Sequence, residues 1–500
     1  MPPRIGLAIA VAASLTVPVL AGPTVAAPSP ADDLQAGLAA IFDAPDVNAL
    51  WAVKVVSLDT GAVIFERNPR LLVMPASTMK VVTLAVAAER LGWDAHFSTS
   101  IEATGPLEDG VLRGDLIVTG DGDPTIGERE HTPRVLDDWA ARLAGLGIRR
   151  VEGRLIGDDD VLPDQVLGSG WAWDDLAFGY ATPLGALQYH ESAAQVVITA
   201  GPRPGAPATM RLEPASSDLA LTGEVVTTDP DTPAAVFSRR RPFSRTLEVT
   251  GTIPRTGRDY VRSVSIDNPT RVFVLAFRDA LARAGITVAG EVADIDDLAE
   301  KPNTPRRLLH LHESPPLREI GVRLMKVSQN LIAETLMARV GLGSDVPDVD
   351  PVAAARGAYE RTLATWGVPA DQVIIADGSG LSRYDYVTVD ALVAVLQRMA
   401  RPPGDPAAFE ATLPILGVDG TLERRLRGTR AEGRVHAKTG SISNVRALAG
   451  YVTTASGERL AFAFIANNFK VRGTVIDGVT DRALTALVAK ERDACCATHD

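Results

Sequence analysis

Two short apolar runs, 51–58 and 63–67, flank Asp59-Thr60-Gly61, a pattern that predicts a β-hairpin. Pro75 then opens a strongly apolar stretch that ends at Gly92, and proline in the first turn with glycine after the last predicts a helix there. The long middle of the chain is richer in β patterns and turns, as at 114–124, 194–200 and 247–253, with no periodic repeat and no long low-complexity linker. Helical patterning returns at 316–326, leads into Ser328-Gln329-Asn330, and continues over 331–340 before Gly341. Strands are predicted at 434–439, 447–454 and 460–467, with Ala455-Ser456-Gly457 as a turn, followed by a helix over about 474–492. Strand pair, helices, three antiparallel strands and terminal helix make an α/β (α+β) arrangement.

The first of these helices carries candidate chemistry. Ser77 falls near its amino terminus, where unpaired N–H groups and the helix dipole favour developing negative charge. Lys80 follows three residues later on the same face. Only seven of the fifty basic residues are lysine; arginine stays protonated, whereas a partly buried lysine can give up its proton and act as a base. Ser-x-x-Lys alone is weak, because it recurs by chance and usually marks a solvated surface pair. Two later elements change its weight: Ser328-Gln329-Asn330 supplies a second hydroxyl and an amide, and Lys438-Thr439-Gly440-Ser441 supplies a second lysine on a predicted strand.

Together these groups describe acyl transfer. Ser77 would attack a carbonyl, and Lys80, kept neutral by the neighbouring cation and partial desolvation, would accept its proton. The oxyanion would sit between the amides of Ser77 and Ser441. Ser328 and Asn330 would relay a proton to the leaving amine and hold Lys80, while Lys438 with the Thr439 and Ser441 hydroxyls suits a terminal carboxylate. A Ser-His-Asp hydrolase has less support: Gly-x-Ser-x-Gly is absent around Ser77 and no histidine stands out apart from His436, beside the Lys-Thr-Gly strand.

Composition narrows the setting. Five hundred residues with 46% hydrophobic content can bury more than one core, and at about 150 residues per domain suggest roughly three. Arg4, the apolar run from Ile5 to Leu20 and the small residues after it read as a signal peptide within 1–27, cleaved after Ala21 or Ala27, with no membrane span expected afterwards. The net charge of −12 argues against nucleic acid as a partner. The adjacent Cys495 and Cys496 provide no disulfide framework. No His-Glu-x-x-His or Cys-x-x-Cys occurs, so neither a metal site nor a cofactor is expected. Asp121-Gly122-Asp123 and Asp158-Asp159-Asp160 read as turns with solvated carboxylates rather than calcium loops.

Lys80 and Ser328 stand 248 positions apart, more than one compact domain needs between two elements of a site, so further domains are inserted there. Three motifs in the order Ser-x-x-Lys, Ser-x-Asn, Lys-Thr-Gly resemble those of the penicillin-recognising acyl-serine enzymes. The large insertion narrows the resemblance to the low-molecular-mass class C penicillin-binding proteins, the D-alanyl-D-alanine carboxypeptidases/endopeptidases. The resemblance covers about 34–491 and includes Pro75-Ala-Ser-Thr-Met-Lys80, Gly120-Asp-Gly-Asp-Pro124, Gly170-Trp-Ala-Trp-Asp-Asp175 and Asp377-Gly-Ser-Gly-Leu-Ser-Arg383.

This resemblance implies a penicillin-binding transpeptidase/β-lactamase-like catalytic domain from 34–97 and 310–492, interrupted by a β-rich insertion. An inserted subdomain is expected at 98–125 and 265–309, a second inserted domain at 126–264, and a tail at 493–500. The implied substrates are peptidoglycan peptides ending in D-Ala-D-Ala, with β-lactam antibiotics as acylating ligands. Arg383 is implied in shaping the pocket for the peptide side chain. Ser441 stands where many relatives have threonine, and Tyr189-His190-Glu191 departs from an asparagine-rich stretch common there. A β-lactamase would share the motifs, but no deacylating glutamate is evident; a non-catalytic cell-wall-binding protein would not need to keep every reactive group.

Overall fold

The computed structural model describes residues 30–44, 47–127, 134–162, 167–241, 244–343 and 351–491. The leader, both cleavage sites and Cys495–Cys496 lie outside them.

A five-stranded antiparallel sheet organises the catalytic part of the chain. Its strands are β1 (Leu50–Ser57), β2 (Val63–Arg67), β3 (Val435–Ile442), β4 (Val445–Thr453) and β5 (Arg459–Asn467), in the order β2-β1-β5-β4-β3. Alternate residues of β5 face opposite sides: Leu460, Phe462 and Phe464 join one core and Ala461, Ala463 and Ile465 the other. A strand covered on both faces needs apolar residues at nearly every position, which is why β5 reads as a continuous apolar run from Leu460 to Ala466. One face is covered by helices α1 (Pro30–Phe42) and α6 (Gly473–Val488). Against the other pack α2 (Met79–Leu91), α3 (Leu317–Lys326), α4 (Asn330–Leu342) and α5 (Val389–Met399). Every residue of α2 from Met79 to Ala88 is buried, as expected of a helix apolar all round. The terminal helix stops at Val488, short of the expected 492, where burial of its apolar face ends.

The inserted residues form separate layers with their own cores. One five-stranded sheet runs Val292–Asp294, Leu155–Asp158, Leu116–Gly120, Ser98–Ala103, Arg307–Glu313, and packs on the helices Val135–Gly145 and Pro269–Arg283 through Trp139, Phe273 and Phe277. Strand Leu155–Asp158 pairs in parallel with Leu116–Gly120. It therefore shares a sheet with the first layer although it lies within 126–264. The second layer centres on Ala193–Thr199, flanked by Thr209–Glu213 and Tyr260–Ser265, with a four-stranded sheet around Thr246–Pro254.

Two acidic stretches differ from expectation. Asp123 is buried, takes hydrogen bonds from Thr125 and lies 3.4 Å from His312; Asp158 is buried against Arg306 at 2.5 Å. Both are structural anchors rather than solvated turn residues. Carboxylate oxygens of Asp159, Asp294 and Asp296 gather within 4.8 Å of one another. Burial, followed by the Asp294 charge, pushes the Asp159 carboxyl up to about 7.

Candidate active site

Ser77 lies in a single 3-10 turn, Ala76–Thr78, that runs straight into α2. Ala76 before it has φ 46, a left-handed conformation that L-residues rarely adopt and that is retained where surrounding structure enforces it. Two glycines do the enforcing. A Cβ on Gly440 of β3 would sit 2.7 Å from the Pro75 carbonyl and 3.1 Å from the Ser77 nitrogen, and one on Gly380 would sit 1.9 Å from the Ala76 carbonyl. The strand and the 377–383 loop thus grip the serine turn from two sides, at a distance only glycine allows.

Lys80, one turn further along, is fully buried. Its Nζ lies 3.0 Å from Ser77 Oγ, 2.6 Å from Asn330 Oδ1 and 2.8 Å from the Ser379 carbonyl. A neutral amine has two hydrogens and one lone pair. If Asn330 and Ser379 accept the two hydrogens, the lone pair points at Ser77, as a base for that hydroxyl requires. Burial brings Lys80 down to about 8, with Asp377, Glu334 and Asp385 pulling it back up. Of the two causes expected from sequence, desolvation is the one that lowers Lys80. The cation effect falls on Lys438 instead, which burial and then the Lys80 charge hold well below the ordinary lysine range.

Lys438 Nζ donates to Ser328 Oγ at 2.8 Å and to the Thr439 carbonyl at 2.7 Å. Ser328 itself has φ 60, and Asn330 is the first residue of α4. Thr439 donates its hydroxyl to Thr421, 2.7 Å away on a loop held by the Lys326–Asp419 ion pair. Ser441 is exposed at the mouth. Arg383 donates to the Ser443 carbonyl at 3.0 Å and lines, with Ser77, Asp175, Tyr180, Ser328 and Ser441, a cleft of about 590 Å³. All nine candidate residues thus converge on one place. His436 does not join them: its ring lies 3.2 Å from Glu410, and Ser77 receives Lys80 instead.

Sequence reasoning picked out the 170–175 and 377–383 segments as motifs but missed Glu334, which lies beneath the site. Glu334, one turn after Asn330 on α4, is buried and accepts from the amides of Gly378 and Ser379 at 3.0 and 2.9 Å, fixing the peptide whose carbonyl meets Lys80. Burial and then Asp377 raise its carboxyl well above the usual range. Asp377 gathers the amides of Gly380 and Ser382 at 2.6 and 2.7 Å and takes the Trp171 indole N–H at 2.8 Å. A glutamate inside the apolar stretch Leu331-Ile332-Ala333-Glu334-Thr335-Leu336 was the available signal, since a buried carboxylate needs partners. The insertion also reaches the site: the Tyr180 carbonyl accepts from Asn330 Nδ2 at 2.8 Å.

Residues 34–486 match the D-Ala-D-Ala carboxypeptidase 3 (S13) family. The chain belongs to that family. Its relatives include the D-alanyl-D-alanine carboxypeptidase of Actinomadura sp. (strain R39), 33% identical across 91% of this chain and 86% of the relative. The D-alanyl-D-alanine carboxypeptidase DacB of Haemophilus influenzae is 29% identical across 83% and 84%. The crystal structure of penicillin-binding protein 4 from Haemophilus influenzae is similar over 91% of this chain and 97% of that one, with a TM-score of 0.76 and 26% identity. A second crystal structure of it, complexed with a β-lactam, has a TM-score of 0.72 at 26% identity over 90% and 100%. This S13 chain is thus a low-molecular-mass class C penicillin-binding protein by family, with the α/β catalytic fold and β-rich insertion expected from its sequence. Among the described residues no helix is long and apolar enough to cross a membrane.

Proposed function

We propose that the protein is an exported serine-type D-Ala-D-Ala carboxypeptidase of peptidoglycan stem peptides, able also to cut cross-bridges that end in a D-centre, and that β-lactams acylate it at Ser77. The observation that carries this reading is the aim of Lys80 at Ser77 Oγ, with Asn330 and Ser379 occupying its other directions. In the forward step the Ser77 oxygen bonds to the penultimate D-alanine carbonyl carbon while its proton passes to Lys80. The oxyanion lies between the Ser77 and Ser441 amides, each donor of this kind being worth about 3 kcal/mol of barrier. Collapse breaks the C–N bond, and the proton held by Lys80 passes through Ser328 to the leaving amine, which returns Lys80 to its neutral form. Water then hydrolyses the ester and frees Ser77. The substrate's carboxylate meets Lys438 with Thr439 and Ser441, and its charge restores to Lys438 the ammonium form that burial disfavours.

Purified protein incubated with muropeptides and followed by mass spectrometry tests this reading. Loss of terminal D-alanine is expected, and penicillin is expected to add one acyl group that Ser77→Ala abolishes. Intact muropeptides together with an unacylated, folded protein would overturn it. The net charge of −12 leaves nucleic acid without support as a partner.

A further inference from the structure

Beside the catalytic cleft lies a second cavity of about 410 Å³. Phe178, Tyr180, Gln195 and Ser263 of the insertion form one wall, and Val327 and Ser328 of the catalytic part the other. Tyr180, Ser328 and Asn330 border both spaces, so the cavities meet at the hydroxyl that faces Lys438. Its floor carries an ion pair between Glu191 and Arg323 that ties the insertion to α3. To deliver Glu191, the backbone holds three successive non-glycine residues left-handed: His190 at φ 54, Glu191 at 59 and Ser192 at 49. Strain of this kind persists where the surrounding structure over-determines it, and it clusters at ligand sites. Volume and lining suit a short peptide, with the Gln195 side chain and the aromatic wall of Phe178 and Tyr180 lining the space.

We infer that this cavity receives the peptide chain that continues from the leaving residue when the scissile bond is a cross-link. The inference rests on the acyl-serine reading above. A leaving amine must come within hydrogen-bond reach of Ser328 to take a proton. In a terminal D-alanine the leaving residue ends there. In a cross-link it keeps a carboxylate for Lys438 but carries a further chain, and that chain must depart from the neighbourhood of Ser328. The acyl half of the substrate occupies the cleft that holds Ser77 and Ser441; the space on the other side of Ser328 is this cavity. The chemical step is unchanged: the cross-link C–N bond breaks, the Ser77 ester forms, and the proton goes to the departing amine.

The test compares kcat/KM for a monomeric stem pentapeptide ending in D-Ala-D-Ala with that for a cross-linked muropeptide dimer. Gln195→Trp and Val327→Trp fill the cavity from opposite walls. Each is expected to lower the dimer-to-monomer ratio by at least roughly tenfold, the scale of a steric mismatch in a pocket. Penicillin acylation reports whether each variant is folded. If a tryptophan variant does not fold, Glu191→Gln, which removes charge without adding bulk, is expected to lower the same ratio. An unchanged ratio in acylatable variants would overturn the inference. So would an unmodified protein that trims the monomer but never cuts the dimer, an outcome that leaves the carboxypeptidase reading standing. Failure on both substrates would remove that reading as well.

Discussion

The backbone carbonyl of Tyr180 accepts the amide N–H of Asn330 at 2.8 Å, and this bond decides which end of the Asn330 side chain faces Lys80. An amide can present oxygen or nitrogen at nearly equal length; with its nitrogen held by Tyr180, the oxygen turns to the lysine. A residue of the insertion therefore sets the hydrogen-bond polarity of a site built by the catalytic layers.

Asn330→Asp tests this polarity. The new carboxylate would stand 2.6 Å from Lys80 Nζ, favour its charged form and raise its pKa. Because the base must be neutral, and a tenfold smaller neutral fraction corresponds to only about 1.4 kcal/mol of added ion-pair stabilisation, acylation at pH 7 is expected to fall at least roughly tenfold. Its acid limb should also move to higher pH. Stopped-flow acylation by a reporter β-lactam measures both, and an unmoved limb would show that Asn330 does not tune the base.

In the unmodified protein the same profile should report Lys80 directly. With its folded-state pKa lowered to about 8, the neutral fraction grows as pH rises and saturates above that value. Acylation should therefore climb as pH rises toward about 8 and level above it. Lys80→Arg keeps the charge but offers no neutral amine, so its acylation is expected to fall by about 100-fold or more, the typical loss of general-base catalysis.

Gly440→Ala probes the grip on the serine turn. Its new methyl would press on the Pro75 carbonyl at 2.7 Å and the Ser77 nitrogen at 3.1 Å. Overpacking should cost about 1–3 kcal/mol of stability, and acylation should suffer more than stability does. Gly457→Ala is the control: Gly457 has φ +85 with nothing within 4 Å. It should cost about 1–2 kcal/mol for the left-handed conformation and leave acylation alone. Thermal melts paired with acylation rates separate the two, and equal effects on acylation would refute the special role of Gly440.

Asp159 gives a pH dependence far from the site. Its carboxyl is raised to about 7 by burial first and by Asp294 next, whereas an unfolded aspartate titrates near about 4. The protonated native form contributes stability that is complete below about pH 4 and lost as pH rises through about 7. Asp159→Asn should therefore raise the melting temperature at about pH 8 and have little effect at about pH 4. Melts run with a chelator keep bound divalent cations out of the comparison. A lower Tm for the variant at the alkaline end would contradict this account.

The reactive groups were legible because each stood on a strong local pattern: Ser77 and Lys80 on an apolar helix opened by proline, Lys438 to Ser441 in the Lys-Thr-Gly motif just before two apolar strands. Glu334 was not, because its partnership with Ser379 is a hydrogen bond across 45 residues that no local period records. The insertion's layering was hidden for the same reason. Leu116–Gly120 and Leu155–Asp158 pair in parallel across a helical crossover, and either strand alone reads the same whichever layer it joins. Buried Asp123 and Asp158 looked like turn residues until their partners, Thr125 and Arg306, were in place.

The order of the central sheet also governs when the protein becomes reactive. Early strand β1 has late strand β5 as its second neighbour, with Val53 opposite Phe464, and β3, which carries Lys438, joins the sheet through β4. Ser77 and Lys80 emerge early in synthesis, but the strand that clamps the serine turn comes from the far end of the sequence, after both inserted layers. Such distant pairing is slow to form. A nascent chain thus holds its nucleophile long before it holds a finished site, and its chemistry is timed by closure of the sheet.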